Sequence, residues 1–163
     1  MMPKNTAAVD GELSVLLELG ACVCALPSRK VSRLLLLEEA AAPETESAVI
    51  TVDGNRFAMW DLAQLLGFVE AAPRTWVLVA IRHGGADVAI AFRAGLCLAV
   101  ETIGRAQALP PSIFRTRAAA FSGAFDPGAL RRAHGCVVGL QLDPMQLLTP
   151  DELELSSARI AAA

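Results

Sequence analysis

One short phrase occurs twice in this chain, and it constrains the fold more than any other feature. Asp61-Leu62-Ala63-Gln64-Leu65-Leu66 returns 82 positions on as Asp143-Pro144-Met145-Gln146-Leu147-Leu148. Each copy follows an apolar run of strand character, Phe57 to Trp60 in the first and Cys136 to Leu142 in the second. An Asp followed three residues later by Gln, just before paired leucines, is a helix-start signature. The carboxylate accepts orphan backbone N–H groups of the first turn, and the Gln reaches back to the cap residue. Pro144 falls at the first helical position, where its missing N–H costs nothing. Each half of the chain is therefore expected to contain a strand that stops sharply and turns into a short docked helix, capped by Asp61 in one and Asp143 in the other. The repeat implies a duplicated architecture of two similar subdomains.

The length of 163 residues suits one domain, or two small subdomains sharing a core. Hydrophobic residues at 54% against charged ones at 19% allow that core to be large. The net charge of −3 excludes a nucleic-acid backbone as partner, because no basic stripe exists to release counterions, and Arg131-Arg132 is the densest basic pair. The stretch from Met1 to Asp10 carries a single Lys and no apolar core region, so no secretory signal is expected there. No apolar run approaches the roughly 20 residues of a membrane span, and the protein is not expected to insert into a bilayer. The expected location is the cytoplasm, where Cys22, Cys24, Cys97 and Cys136 stay reduced.

Along the chain, residues 1–12 read as a flexible lead-in. Strands are expected over Leu13 to Leu19 and Cys22 to Leu26, followed by a short helical stretch opened by Leu26-Pro27-Ser28, in which Val31 and Leu34 or Leu35 share a face. Leu34 to Leu37 also reads as a buried strand, and Glu38 to Glu46 as a loop. Val49 to Val52 and Phe57 to Trp60 flank Asp53-Gly54, a pair suited to the positive φ angles of a tight hairpin turn. Trp76 to Ile81 and Val88 to Phe92 repeat that arrangement around His83-Gly84-Gly85. Strands at Leu96 to Ile103, Ala118 to Phe125 and Cys136 to Leu142 come next, with an irregular stretch over Arg105 to Ala120 and a turn at Asp126-Pro127-Gly128. Thr149-Pro150-Asp151-Glu152 is a further capping box, opening a terminal helix towards Ile160. Repeated hairpins with few long helices favour small barrels over a parallel sheet.

Catalytic and metal chemistry find little footing in these residues. Cys22 and Cys24 lie on one face of a strand, and His83 and His134 would be needed to complete a ligand set, but the spacing departs from the paired patterns of zinc sites. Core packing is the simpler reading of the cysteines; a small metal- or thiol-dependent protein built on Cys22 and Cys24 is the competing one. No nucleophile elbow or phosphate-binding loop is present, and both histidines sit beside turn glycines. The spacing of Asp61 and Asp143 is explained by capping without catalysis. No catalytic residue, metal or cofactor is expected.

Order and spacing along residues 13–161 resemble the CheW-like domain of bacterial chemotaxis coupling proteins. Ala25-Leu26-Pro27 through Val31-Ser32-Arg33-Leu34 is similar to that family's strand, Leu-Pro turn and Val-x-x-Leu element. Ala48 to Leu62 is similar to its Gly-Val-x-Asn-Leu-Arg-Gly-x-x-Leu-Pro-Val-x-Asp-Leu phrase, and Leu142 to Leu153 to its closing phrase. Departures are Asp53 for the Arg before Gly, Ala58 for Pro, Ala48 for the first Gly, and Phe92-Arg93-Ala94-Gly95 for a Val-Asp-x-Val phrase. The family's acidic residue after the Val is Arg33 here, so Arg33 and Asp53 are either a charge pair with exchanged signs or two unrelated surface charges.

The resemblance implies a mainly β fold of two intertwined, five-stranded SH3-like barrel subdomains with short helices and a C-terminal helix, forming a single domain over 13–161. It implies a non-enzymatic adaptor in chemosensory signal transduction, coupling the cytoplasmic tip of a chemoreceptor to a CheA-type histidine kinase, with other CheW-like domains as further partners. By position, the receptor-contact residues it implies are Val31, Arg33, Asp53 and Gly54. A degenerate decoy that binds a single partner is the alternative within the family.

Overall fold

The computed structural model describes residues 11–20, 22–37, 48–68, 73–104, 117–126 and 139–163. Within them, ten strands form two five-stranded sheets: β1 (Glu12–Leu19), β2 (Cys22–Pro27), β3 (Arg33–Leu36), β4 (Val49–Val52), β5 (Asn55–Asp61), β6 (Thr75–His83), β7 (Ala86–Ala94), β8 (Cys97–Ile103), β9 (Phe121–Phe125) and β10 (Gly139–Leu142). Helix α1 (Leu62–Leu66) follows β5, and α2 (Pro150–Ala162) closes the chain. The expected mainly β architecture of two five-stranded subdomains is the one that forms.

The two sheets are not two consecutive halves of the chain. Sheet B, ordered β3-β6-β7-β5-β4, is one continuous stretch of sequence. Sheet A, ordered β8-β1-β2-β10-β9, takes two strands from before that stretch and three from after it. The orders correspond strand for strand. β5 runs parallel to β7 as β10 runs parallel to β2, and every other neighbouring pair is antiparallel in both sheets. Sheet A is thus a circular permutation of sheet B, with sheet B inserted between β2 and β8. The two copies of the repeated phrase occupy equivalent places, after β5 in one sheet and after β10 in the other.

Both faces of the central strands are buried, which explains runs without polar alternation such as Val15 to Leu17 and Trp76 to Val79. Period-two alternation sends Val15, Leu17, Leu19, Val77, Val79 and Ile81 into a core shared by the two sheets, joined there by Phe92, Leu142 and Leu147. The other face of sheet A holds Leu16, Val23, Ala25 and Ile103. The other face of sheet B holds Leu35, Ile50, Val52, Trp76, Leu78 and Ala91.

The hairpin turns behave as their sequences dictate. Asp53 and Gly54 adopt φ of 51° and 81°, and Gly84 and Gly85 adopt 60° and 82°, the paired positive angles that match the twist of the flanking strands. A Cβ on Gly54 would meet nothing within 4 Å, so its backbone angle, not crowding, favours glycine there. Two expectations need correction. The helical stretch after Pro27 is a single 3-10 turn, Ser28–Lys30, and the chain is extended again from Val31 into β3, because pairing with β6 supplies the backbone bonds a helix would have made. The element after Asp143 is a 3-10 turn, Pro144–Gln146, rather than a helix like α1. The loop expected at Glu38 to Glu46, most of Arg105 to Ala120, and Pro127-Gly128 lie outside the described residues.

Candidate partner-binding surface

Arg33 and Asp53 meet. Arg33 opens β3 and Asp53 sits at the tip of the β4–β5 hairpin, and Arg33 Nη1 donates to Asp53 Oδ2 at 2.5 Å. Strands β3 and β4 are the opposite edges of sheet B. A contact between them requires the sheet to curl until its edges face, enclosing Leu35, Ile50, Val52 and Trp76. Both side chains are more than half exposed, so water screens the pair and its own contribution is small. Gly54 lies beside it at the exposed hairpin tip.

Val31 lies elsewhere, between the two sheets. Its N–H donates to the Ser28 carbonyl at 3.1 Å, ending the 3-10 turn, and its half-buried side chain packs on the edge of the shared core. The turn that delivers it is tied to β1 by Arg29 Nε donating to Glu12 Oε1 at 2.5 Å. Next to Glu12 is Leu13, half exposed. Val100 on β8 is 52% exposed although it pairs with Val15, whose side chain is in the shared core. Leu13 and Val100 therefore extend the core-facing side of sheet A beyond the part that sheet B covers. Sequence reading missed both, because an apolar residue in an apolar strand reads as core; only topology exposes them.

The capping residues sit at the junction of the sheets. Asp61 Oδ1 accepts from the Gln64 N–H at 3.1 Å, and Asp61 Oδ2 accepts from Arg93 Nε and Nη2 at 3.2 and 3.0 Å. Arg93 is the register partner of Asp61 in the parallel pair β5–β7. The Arg that stands in the departed phrase thus neutralises the first cap. Asp61, Gln64, Phe68 and Arg93 line an open cleft of about 360 Å³. Asp143 accepts from the Met145 N–H and from Lys30 Nζ, both at 3.0 Å. By the same register, Pro27 occupies in sheet A the place Arg93 holds in sheet B, so the cation comes from the turn just after it.

Arg117 is a third residue that the sequence concealed, lying in a stretch expected to be irregular. Its Nε donates to the Leu65 carbonyl at 3.0 Å and its Nη1 to the Leu147 carbonyl at 2.8 Å. The same guanidinium forks onto Glu152 in the first turn of α2, Nη1 to Oε1 at 2.5 Å and Nη2 to Oε2 at 2.7 Å. Hydrogen bonding to Arg117 holds the Glu152 carboxyl below the usual range, and the same bonds raise Arg117. Glu152 also accepts from the Thr149 N–H while Thr149 Oγ1 accepts from the Glu152 N–H, completing the expected capping box.

The cysteines offer a poor site for thiolate chemistry. Cys24 is fully buried in the shared core, and burial, with Cys22 adding to it, pushes its thiol up to about 12. Burial also raises Cys97. Among the described residues no group of three or more His, Cys, Asp or Glu side chains is placed to hold a metal ion; His134 and Cys136 lie outside them. No described helix is long and apolar enough to cross a membrane.

No protein-family model matches the chain, and no curated protein matches it in sequence. Among solved structures its fold is similar to the crystal structure of the scaffolding protein TtCheW from Thermoanaerobacter tengcongensis, with a TM-score of 0.61 and 14% identity. The match covers 86% of this chain and 95% of that one. At that identity the likeness is one of fold: the chain has a CheW-like fold.

Proposed function

We propose that this chain is a non-enzymatic chemosensory adaptor, acting in the cytoplasm as a single unit over residues 13–161 and coupling a chemoreceptor tip to a CheA-type histidine kinase. The observation that carries the reading is the fold likeness to a CheW scaffolding protein over both subdomains. It is supported by apolar side chains where the sheets meet, since the exposed Leu13 and Val100 and the half-buried Val31 offer area for an incoming helical hairpin at the rim of the shared core.

Val31 serves in this reading as the apolar anchor, and Arg33, Asp53 and Gly54 as a polar edge that sets register. Because Arg33 and Asp53 span the opening between the edges of sheet B, their influence on a partner includes holding the hairpin tip in place. Val31→Asp places an unpaired charge in the anchor and is expected to weaken receptor-fragment binding at least tenfold, while leaving kinase binding within about twofold. Reversing Arg33 alone or Asp53 alone is expected to hurt, and reversing both to restore most of the loss. Calorimetric titration of the single and double variants with a receptor fragment measures that coupling. Additive losses would remove the pair from the site.

A further inference from the structure

Helix α2 is fastened by few contacts, and a residue outside it controls the first of them. Of its 13 residues only Leu153 and Ser156 are buried, with Ile160 partly packed on the shared core. Free helices of fewer than about 12–15 residues are marginal in water, so α2 depends on docking. That docking runs along one face, at i, i+3, i+6 and i+7. Leu153 enters the core, Ser156 Oγ accepts from Trp60 Nε1 at 2.9 Å, the Arg159 guanidinium lies 5.5 Å from the centre of the Trp60 ring, and Ile160 completes the row. Arg56 Nη1 donates to the Ile160 carbonyl at 3.3 Å. Together these contacts cover Trp60 on β5. The first turn is held differently, by the Arg117 fork on Glu152, and Arg117 is itself anchored on the carbonyls of Leu65 and Leu147.

We propose that α2 is a displaceable strap over the Trp60 face of sheet B, and that the Arg117–Glu152 fork is its latch. The inference is independent of the adaptor reading. With the latch broken, α2 keeps one buried leucine, its contacts around Trp60 and a 3.8 Å approach of Glu154 Oε1 to His83 Nε2, whereas β6 and β7 keep their full ladder and every buried core side chain except Leu153. The strap therefore lifts as a unit with the sheets closed, baring an indole ring and its N–H donor.

Glu152→Gln tests the latch in the full chain. The amide oxygen can still accept from the Thr149 N–H, so the cap survives while the charge that grips Arg117 is lost. Hydrogen exchange of α2 amides is expected to speed about tenfold or more, with β6 and β7 amides unchanged. Acrylamide quenching is expected to rise through Trp60, because Trp76 is 1% exposed and stays sealed. Arg117→Lys, which cannot make the fork, is expected to match it; if that variant does not fold, Glu152→Gln alone decides. Unchanged α2 exchange in Glu152→Gln would overturn the proposal, as would α2, β6 and β7 speeding by the same factor.

Discussion

The same six-residue phrase gives an α-helix in sheet B and a 3-10 turn in sheet A. Both begin with an Asp cap on an extended residue, but Asp61 accepts from the third N–H of its helix and Asp143 from the second of its turn. The difference is made downstream. After Leu66 comes Gly67, at φ 75°, whose N–H closes onto the Ala63 and Gln64 carbonyls and lets a full turn finish. After Leu148 comes Thr149-Pro150, which must already cap α2, so the second copy has no room to propagate. Charge compensation diverges too, with Arg93 supplied by a paired strand and Lys30 by the turn after β2. A start signal fixes where a helix begins, and the residues downstream of it fix how far the helix runs.

The comparison is broken most severely at the paired leucines. Leu65→Ala and Leu147→Ala are each expected to cost about 2–5 kcal/mol in chemical denaturation, with Leu147, fully buried, at the upper end. Losses below about 1 kcal/mol at either would mean the two copies do not share one core. Next come the caps, where Asp61→Ala is expected to cost about 2 kcal/mol and Asp143→Ala about 1. Asp61 is 12% exposed against 27% for Asp143 and takes two bonds from Arg93 where Asp143 takes one from Lys30, so an equal cost would contradict the asymmetry. Gly67→Ala, which forces a side chain into the left-handed region, is expected to cost about 1 kcal/mol. The second copy has no counterpart to that effect.

The smallest effect is electrostatic and joins the two copies, since Arg117 bonds a carbonyl in each while gripping Glu152. Glu152 has a lowered pKa in the folded state, so its contribution is present in full above its unfolded value near 4.5 and is lost as pH falls through the lower folded one. Stability measured from pH 5 downward is expected to fall less steeply in Glu152→Gln than in the natural chain. Parallel curves would show that the fork contributes nothing.

Much of this was legible in the residues. Both hairpins, the three side-chain cap acceptors and the terminal helix are set by Asp-Gly, Gly-Gly, Asp-x-x-Gln and Thr-x-x-Glu, signals carried within a few positions of where they act, although the Asp143 N–H donates to the Ala120 carbonyl and not to the Gln146 side chain expected to reach back. The permutation was not legible, because pairing β2 with β10 depends on closure between residues more than a hundred positions apart, and local pattern carries no trace of it. Arg117 was hidden for a related reason: its three partners come from three separate elements. Arg33 and Asp53 were found only because a resemblance set them side by side; twenty residues apart and exposed, they leave no periodic signal.

In the proposed role one chain bridges two partners. The most direct measurement immobilises the regulatory domain of a CheA-type kinase, adds a receptor cytoplasmic fragment, and titrates in this protein. Receptor retained in proportion to added protein, and lost with Val31→Asp while the protein itself stays on the kinase, is the predicted result. A chain that binds only one of the two, or neither, would contradict it.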